Sequence, residues 1–115
     1  MSKTDPCNSV TLTGRLAAVT ERDLPSGDTL VAFRLIVDRP PGRRGPSGRI
    51  RVDALECSAY LAALRRRLLC LPEGASVEVT GSLRRRFWRS ANGPTSIIEV
   101  EAVSVRRVTE AAVPR

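Results

Sequence analysis

The chain reads as an all-β domain with one helix, a five-stranded OB-fold barrel whose helix lies between strands 3 and 4. Three observations lead there. Five stretches carry the two-residue alternation of strands. A single amphipathic segment interrupts them after the third. The 115 residues suit one compact domain, taken as residues 1–115 with a core of about 8–108. Three strands, one helix and two strands is the connectivity of a small Greek-key barrel and not of a plain sandwich.

The first strand runs from Asn8 to Ala17, where Val10, Leu12 and Leu16 alternate with Thr11, Thr13 and Arg15. Gly14 predicts a bulge or bend within it. Asp23 to Asp28 is dense in turn formers and predicts a hairpin loop. Thr29 to Asp38 resumes the alternation. Val31, Phe33, Leu35 and Val37 share one face; Ala32, Arg34, Ile36 and Asp38 share the other.

Arg39 to Arg49 is rich in Pro, Gly and Arg, has no apolar residue, and is expected to be mobile. Ile50 to Cys57 is the third strand. Ser58 is placed to cap a helix, in which Tyr60, Leu61, Leu64, Leu68 and Leu71 share one side. Arg65, Arg66 and Arg67 follow its wet side, and Pro72 to Gly74 stops it. Val77 to Leu83 is the fourth strand, Ala91 to Pro94 a turn, and Ile97 to Val108 the fifth strand. In the fifth, Ile98, Val100, Ala102 and Ser104 oppose Glu99, Glu101, Val103 and Val105.

Composition narrows the function. Lys and Arg total 19 against 12 Asp and Glu, a net charge of +7. A small basic domain attracts polyanions, most often nucleic acid. The absence of His removes the commonest general base and metal ligand. The three cysteines fit no zinc spacing; Cys57 and Cys70 read as small core groups, and Cys7 as exposed. No nucleotide-binding glycine motif occurs. Neither an enzyme nor a cofactor is expected. No apolar run reaches the length of a membrane span and no secretory leader is evident, so the expected location is cytoplasmic.

The segment from Ser76 to Ser90 is the most informative. Arg84, Arg85 and Arg86 precede Phe87 and Trp88, the only Trp of the chain. Arginines neutralise phosphates and an indole stacks on a base. With the strand continuing, Arg84 and Arg86 share one face, and Arg85 points away. Phe87 is expected to turn to the opposite face and pack. Arg43, Arg44 and Arg49 lie on the long loop, and such loops in OB-folds close over a bound strand.

At these residues the chain resembles the bacterial single-stranded-DNA-binding proteins. The match is carried by Asn8 to Leu16, by Pro25 to Gly27 leading into Phe33 to Leu35, by Pro72 to Val77, and by Val79 to Trp88. It looks most like the arginine-rich paralogues of actinobacteria. The resemblance implies a homotetramer of OB-folds, associated with the nucleoid, that wraps single-stranded DNA with little sequence preference in replication, recombination or repair. It implies phosphate contacts by Arg84 and Arg86, and base stacking by Trp88 on the loop between strands 4 and 5. Arg15 and Arg34 would stand near the groove on strands 1 and 2. Where the family carries aromatics, Pro41, Arg51 and Cys57 fall instead, and Ile50 to Ala59 contains no aromatic. The final residues, Glu110 to Arg115, lack the family's acidic tip, so recruitment of repair or replication enzymes is not expected. Two other readings remain open: a dimeric primosomal OB protein, and an OB-fold adaptor that binds only protein.

Overall fold

The computed structural model describes residues 4–109. Five strands and one helix follow in the expected order: β1 (Val10–Asp23), β2 (Thr29–Asp38), β3 (Val52–Ala59), α1 (Ala62–Cys70), β4 (Ser76–Ser90) and β5 (Gly93–Arg107). The strands close into a barrel in the order β1-β2-β3-β5-β4, an OB-fold.

β1 serves two neighbours. Val10 to Arg15 pair with β4, and Arg15 to Asp23 pair with β2. The register shifts between Ala17 and Thr20, and Ala18 adopts φ 54° there. The bulge expected at Gly14 thus lies at Ala18 instead. A bulge bends a strand and increases its twist, so β1 can turn the corner between its two partners. Gly14 permits a close approach, since a Cβ at this position would run into the backbone carbonyl of Ile36.

The inner faces of the strands form one core. Leu16, Val31, Phe33, Leu35, Val77 and Val79 are essentially inaccessible. α1 adds Leu64 and Leu68 to the same cluster. A nine-residue helix is too short to persist alone; burying two leucines, at about 1.5–3 kcal/mol each, holds it on the barrel. Its start differs from expectation. Ser58 is a buried residue of β3 and caps nothing, while Leu61 is the N-cap and makes no side-chain cap bond. Tyr60 and Leu61 precede the helix and are exposed. Cys70, expected in the core, is exposed, whereas Cys57 is buried.

The fifth strand also departs from simple alternation. Thr80 pairs with Ser104 and Gly81 with Ala102, so Val103 is an extra residue. That bulge exchanges the two faces: Val105 turns inward and is buried, while Val103 and Ile98 are exposed.

Beyond Gly81, β4 has lost β1 and pairs only with β5, through Ser90. β5 still pairs with β3 at Val100 and Glu101, so residues 84–90 and 93–99 form a two-stranded arm. Its root is fastened by Asn8, whose Nδ2 donates to the Leu83 carbonyl while its Oδ1 accepts from the Leu83 N–H, both at 2.8 Å. The side chain thereby replaces the backbone rung that β1 no longer supplies. The fourth strand thus extends beyond Leu83 as far as Ser90, and Trp88 belongs to it and not to a loop. The loop of residues 39–51 has internal turns of its own, with Ile50 N–H bonded to the Arg44 carbonyl at 3.0 Å. The side chain of Ile50, expected in the third strand, packs beside Gly45.

Candidate nucleic-acid interface

The arm's register sorts its side chains. Arg84 pairs with Glu99, Arg86 with Ile97 and Trp88 with Thr95, so all six share one face. Leu83, Arg85 and Phe87 occupy the other. Phe87 is indeed opposite Trp88, but it does not pack: it is 73% exposed, with the Arg85 guanidinium 6.0 Å from its ring centroid. The arm continues past the core, so among the described residues no core surface covers Phe87.

Trp88 is 46% exposed and walls a cleft to which every strand contributes. Arg22 comes from β1, Leu30 and Ala32 from β2, Glu56 and Cys57 from β3, Arg86 from β4, and Ile97 and Glu99 from β5. An adjoining hollow brings Leu24 and Pro25 of the β1–β2 loop together with Tyr60, Arg86, Phe87 and Trp88. Tyr60 directly follows β3, and Arg65 Nε donates to its carbonyl at 3.0 Å. Three exposed aromatic residues, Tyr60, Phe87 and Trp88, thus line one hollow together with the Arg86 guanidinium.

From this cleft a path runs along the outer face of β2 and β3. Ala32, Arg34, Ile36 and Asp38 mark it on β2, opposite Ser58, Glu56, Ala54 and Val52 on β3. From Val31 to Asp38 it covers roughly 23 Å at about 3.3 Å per residue. Arg34 stands midway and donates from Nε to Glu56 Oε1 at 2.9 Å. At the far end, both Arg15 terminal nitrogens donate to Asp38, at 2.8 and 3.1 Å. The bonded Arg15 guanidinium, with Arg44 contributing, holds the Asp38 carboxyl below its ordinary 3.8.

The loop of residues 39–51 leaves from this same far end. Arg39 forks onto Asp53, with Nη2 to Oδ1 at 2.7 Å and Nε to Oδ2 at 3.0 Å. That bond lowers the Asp53 pKa and raises that of Arg39. Arg43, Arg44, Arg49 and Arg51 are carried on the loop. The structure therefore brings Arg86 and Trp88 together with Arg84 beside them on the arm. It sets Arg34 farther along the path, and Arg15 and the loop arginines at the opposite end.

Most of the strand arginines are already paired. Arg84 reaches Glu101 at 3.5 Å, and Arg86 Nε lies 2.8 Å from Glu99 Oε1. Arg22 is different: it is exposed, and among the described residues its guanidinium has no acidic partner. Arg22, Tyr60 and Glu99 are not singled out by the sequence. Tyr60 falls at helical spacing with Leu64 and Leu68, which masks its position just ahead of the helix. Arg22 follows a stretch without apolar alternation. Glu99 is one of several glutamates in β5, and only the ladder shows that it faces the cleft.

Cys57, at the cleft floor, is no nucleophile. Burial first, then the charges of Glu56 and Glu99, push its thiol up to about 12. Among the described residues no group of His, Cys, Asp or Glu is arranged to hold a metal ion. No helix among them is long and apolar enough to cross a membrane.

The fold agrees with what comparison with known proteins finds. No curated protein matches the chain. Among solved structures, the Plasmodium falciparum SSB complex with ssDNA superposes with a TM-score of 0.72. It is 20% identical in sequence and spans 94% of this chain and all of that one. The family model of the single-strand binding proteins matches residues 7–108, which takes in every strand, the helix and the arm, and the chain belongs to the single-strand binding protein family.

Proposed function

We propose that this protein binds single-stranded DNA with little sequence specificity, along the path from the Trp88 cleft to the loop of residues 39–51. The observation that carries the reading is the meeting of Trp88 and Tyr60, both exposed, in one hollow with Arg86. Bases stack on the rings while guanidinium groups take phosphates, and the path is long enough for about four nucleotides, the low end for an OB-fold. Arg22, Arg34, Arg84 and Arg86 serve the near part, and Arg15, Arg43, Arg44, Arg49 and Arg51 the far part. The protein holds a strand and performs no chemistry on it.

The test is a titration of Trp88 fluorescence with oligothymidine at two salt concentrations, alongside duplex DNA of equal length. Quenching by the single strand that weakens steeply with salt is expected. Equal affinity for duplex, or no quenching at low salt, would overturn the reading; the second result fits a protein-binding adaptor.

The assembly is proposed to be a homotetramer, acting in the cytoplasm and at the nucleoid in replication, recombination or repair. Supporting it, Leu83 and Ile98 are exposed at the root of the arm and adjoin Val10, Leu12 and Leu55 in one apolar hollow. Light scattering of the purified protein tests the count. A dimer would favour the primosomal type.

A further inference from the structure

A groove for a polyanion should not have a carboxylate at its floor, yet this one does. Glu99 is 7% exposed and projects from β5 on the same face of the arm as Arg86 and Trp88. Its Oε1 is buried and accepts no hydrogen bond. Arg86 Nε is 2.8 Å away, but its N–H is not aligned on that oxygen. The Cys57 thiol, which lines the same cleft, turns instead to the Leu55 carbonyl at 3.6 Å. A buried carboxylate oxygen that faces a guanidinium without an aligned N–H is left short of hydrogen bonds, which is costly, and a carboxylate has room for several donors.

We propose that Glu99 is a base-reading residue, which accepts from the exocyclic amino group of a nucleobase lodged beside Trp88. This rests on the single-stranded DNA reading above and adds a preference to it. A phosphate cannot occupy the place, because like charges repel. A base edge can, and Trp88 on the same face offers the ring on which that base would stack. Among pyrimidines, cytosine turns an N4 amino donor toward such an acceptor, the pairing that carboxylates make in groove recognition. Uracil and thymine turn a carbonyl oxygen there, lone pairs against lone pairs. The subsite therefore selects amino-bearing bases, and cytosine over uracil or thymine.

The experiment compares oligodeoxycytidine and oligodeoxyuridine of one length at neutral pH and fixed salt. The two differ only along the base-pairing edge. The cytidine strand is expected to bind about fivefold or more tightly. Glu99→Gln, whose amide can offer either a donor or an acceptor, is expected to erase the difference while leaving the thermal midpoint close to the parent. Trp88→Ala is expected to weaken both strands. A third probe needs no variant: a strand of N4,N4-dimethylcytosine keeps the ring without the N–H, and should bind no better than uridine. Equal binding of cytidine and uridine strands by the parent protein would overturn the inference, as would a preference that survives in Glu99→Gln or with the dimethylated strand. Failure to bind any strand would instead overturn the single-stranded DNA reading.

Discussion

Arg86 and Glu99 meet diagonally across the β4–β5 ladder, with Nε 2.8 Å from Oε1. Arg84 and Glu101 repeat the contact at 3.5 Å. A guanidinium already facing a carboxylate gains less from a phosphate than a free one does, because the first partner must be given up. Arg22 makes no such exchange. Arg22→Ala is therefore expected to weaken binding of oligothymidine more than Arg84→Ala. It should also reduce the slope of log affinity against log salt by about 0.7, the value for one phosphate contact on a single strand. Titrations across a salt series decide the matter; a larger effect of Arg84→Ala would reassign the anchor.

Trp88 and Tyr60 should share the stacking. Loss of either ring is expected to cost about 1–3 kcal/mol of binding, the usual worth of one stacked base. Tyr60→Ala leaves Trp88 in place, so its fluorescence still reports the titration. Trp88→Ala needs a labelled strand. Affinity unchanged in Tyr60→Ala would show that only one ring touches DNA.

Comparison of the elements shows which kind of information the sequence carries. β2 is legible to the residue because one face is apolar throughout, from Val31 to Val37, and both ends are marked by turn formers. On β4 the alternation stops at Leu83, well short of the strand's end at Ser90. Arg84 to Ser90 holds no apolar alternation, since neither face is buried, and periodicity only reports burial. The faces of β5 come out inverted beyond Ala102 because a bulge at Val103 leaves no mark on hydropathy. Trp88, Arg84 and Arg86 are legible from residue type and spacing. Tyr60 and Arg22 are not, because their place in the cleft depends on how the β1–β2 hairpin and the end of β3 approach the arm. That approach is set by barrel closure, a long-range property.

The tightest of the glycine sites sets a stability prediction. A Cβ on Gly81 would overlap the carbonyl of Glu101 and press on the Ala102 Cα at 3.0 Å. Both neighbours are backbone in the tightly paired β4–β5 ladder, so they cannot step aside as a side chain would. Gly81→Ala is expected to cost about 1–3 kcal/mol, as overpacking does, and to lower the thermal midpoint by several degrees. Calorimetry checks it. Gly42→Ala is the control for a glycine that meets nothing within 4 Å, although its φ of 87° carries its own smaller cost.

The clamp at the base of the loop should respond to acid. Arg39 bonds Asp53 through a fork and holds its carboxyl below the ordinary 3.8, and Arg15 does the same to Asp38. A carboxyl whose pKa is lower in the folded state binds fewer protons there than in the unfolded chain. Its contribution is complete above the unfolded value and is lost as the pH falls through the folded one. Both pairs are open to solvent, so the effect is modest and weakened by salt. Asp53→Asn is expected to lower stability slightly at neutral pH, with the difference from the parent shrinking once the pH falls below about 4. Urea denaturation of both proteins at neutral and acidic pH measures it. A difference that stayed constant across that range would mean that the fork contributes through shape and not through charge.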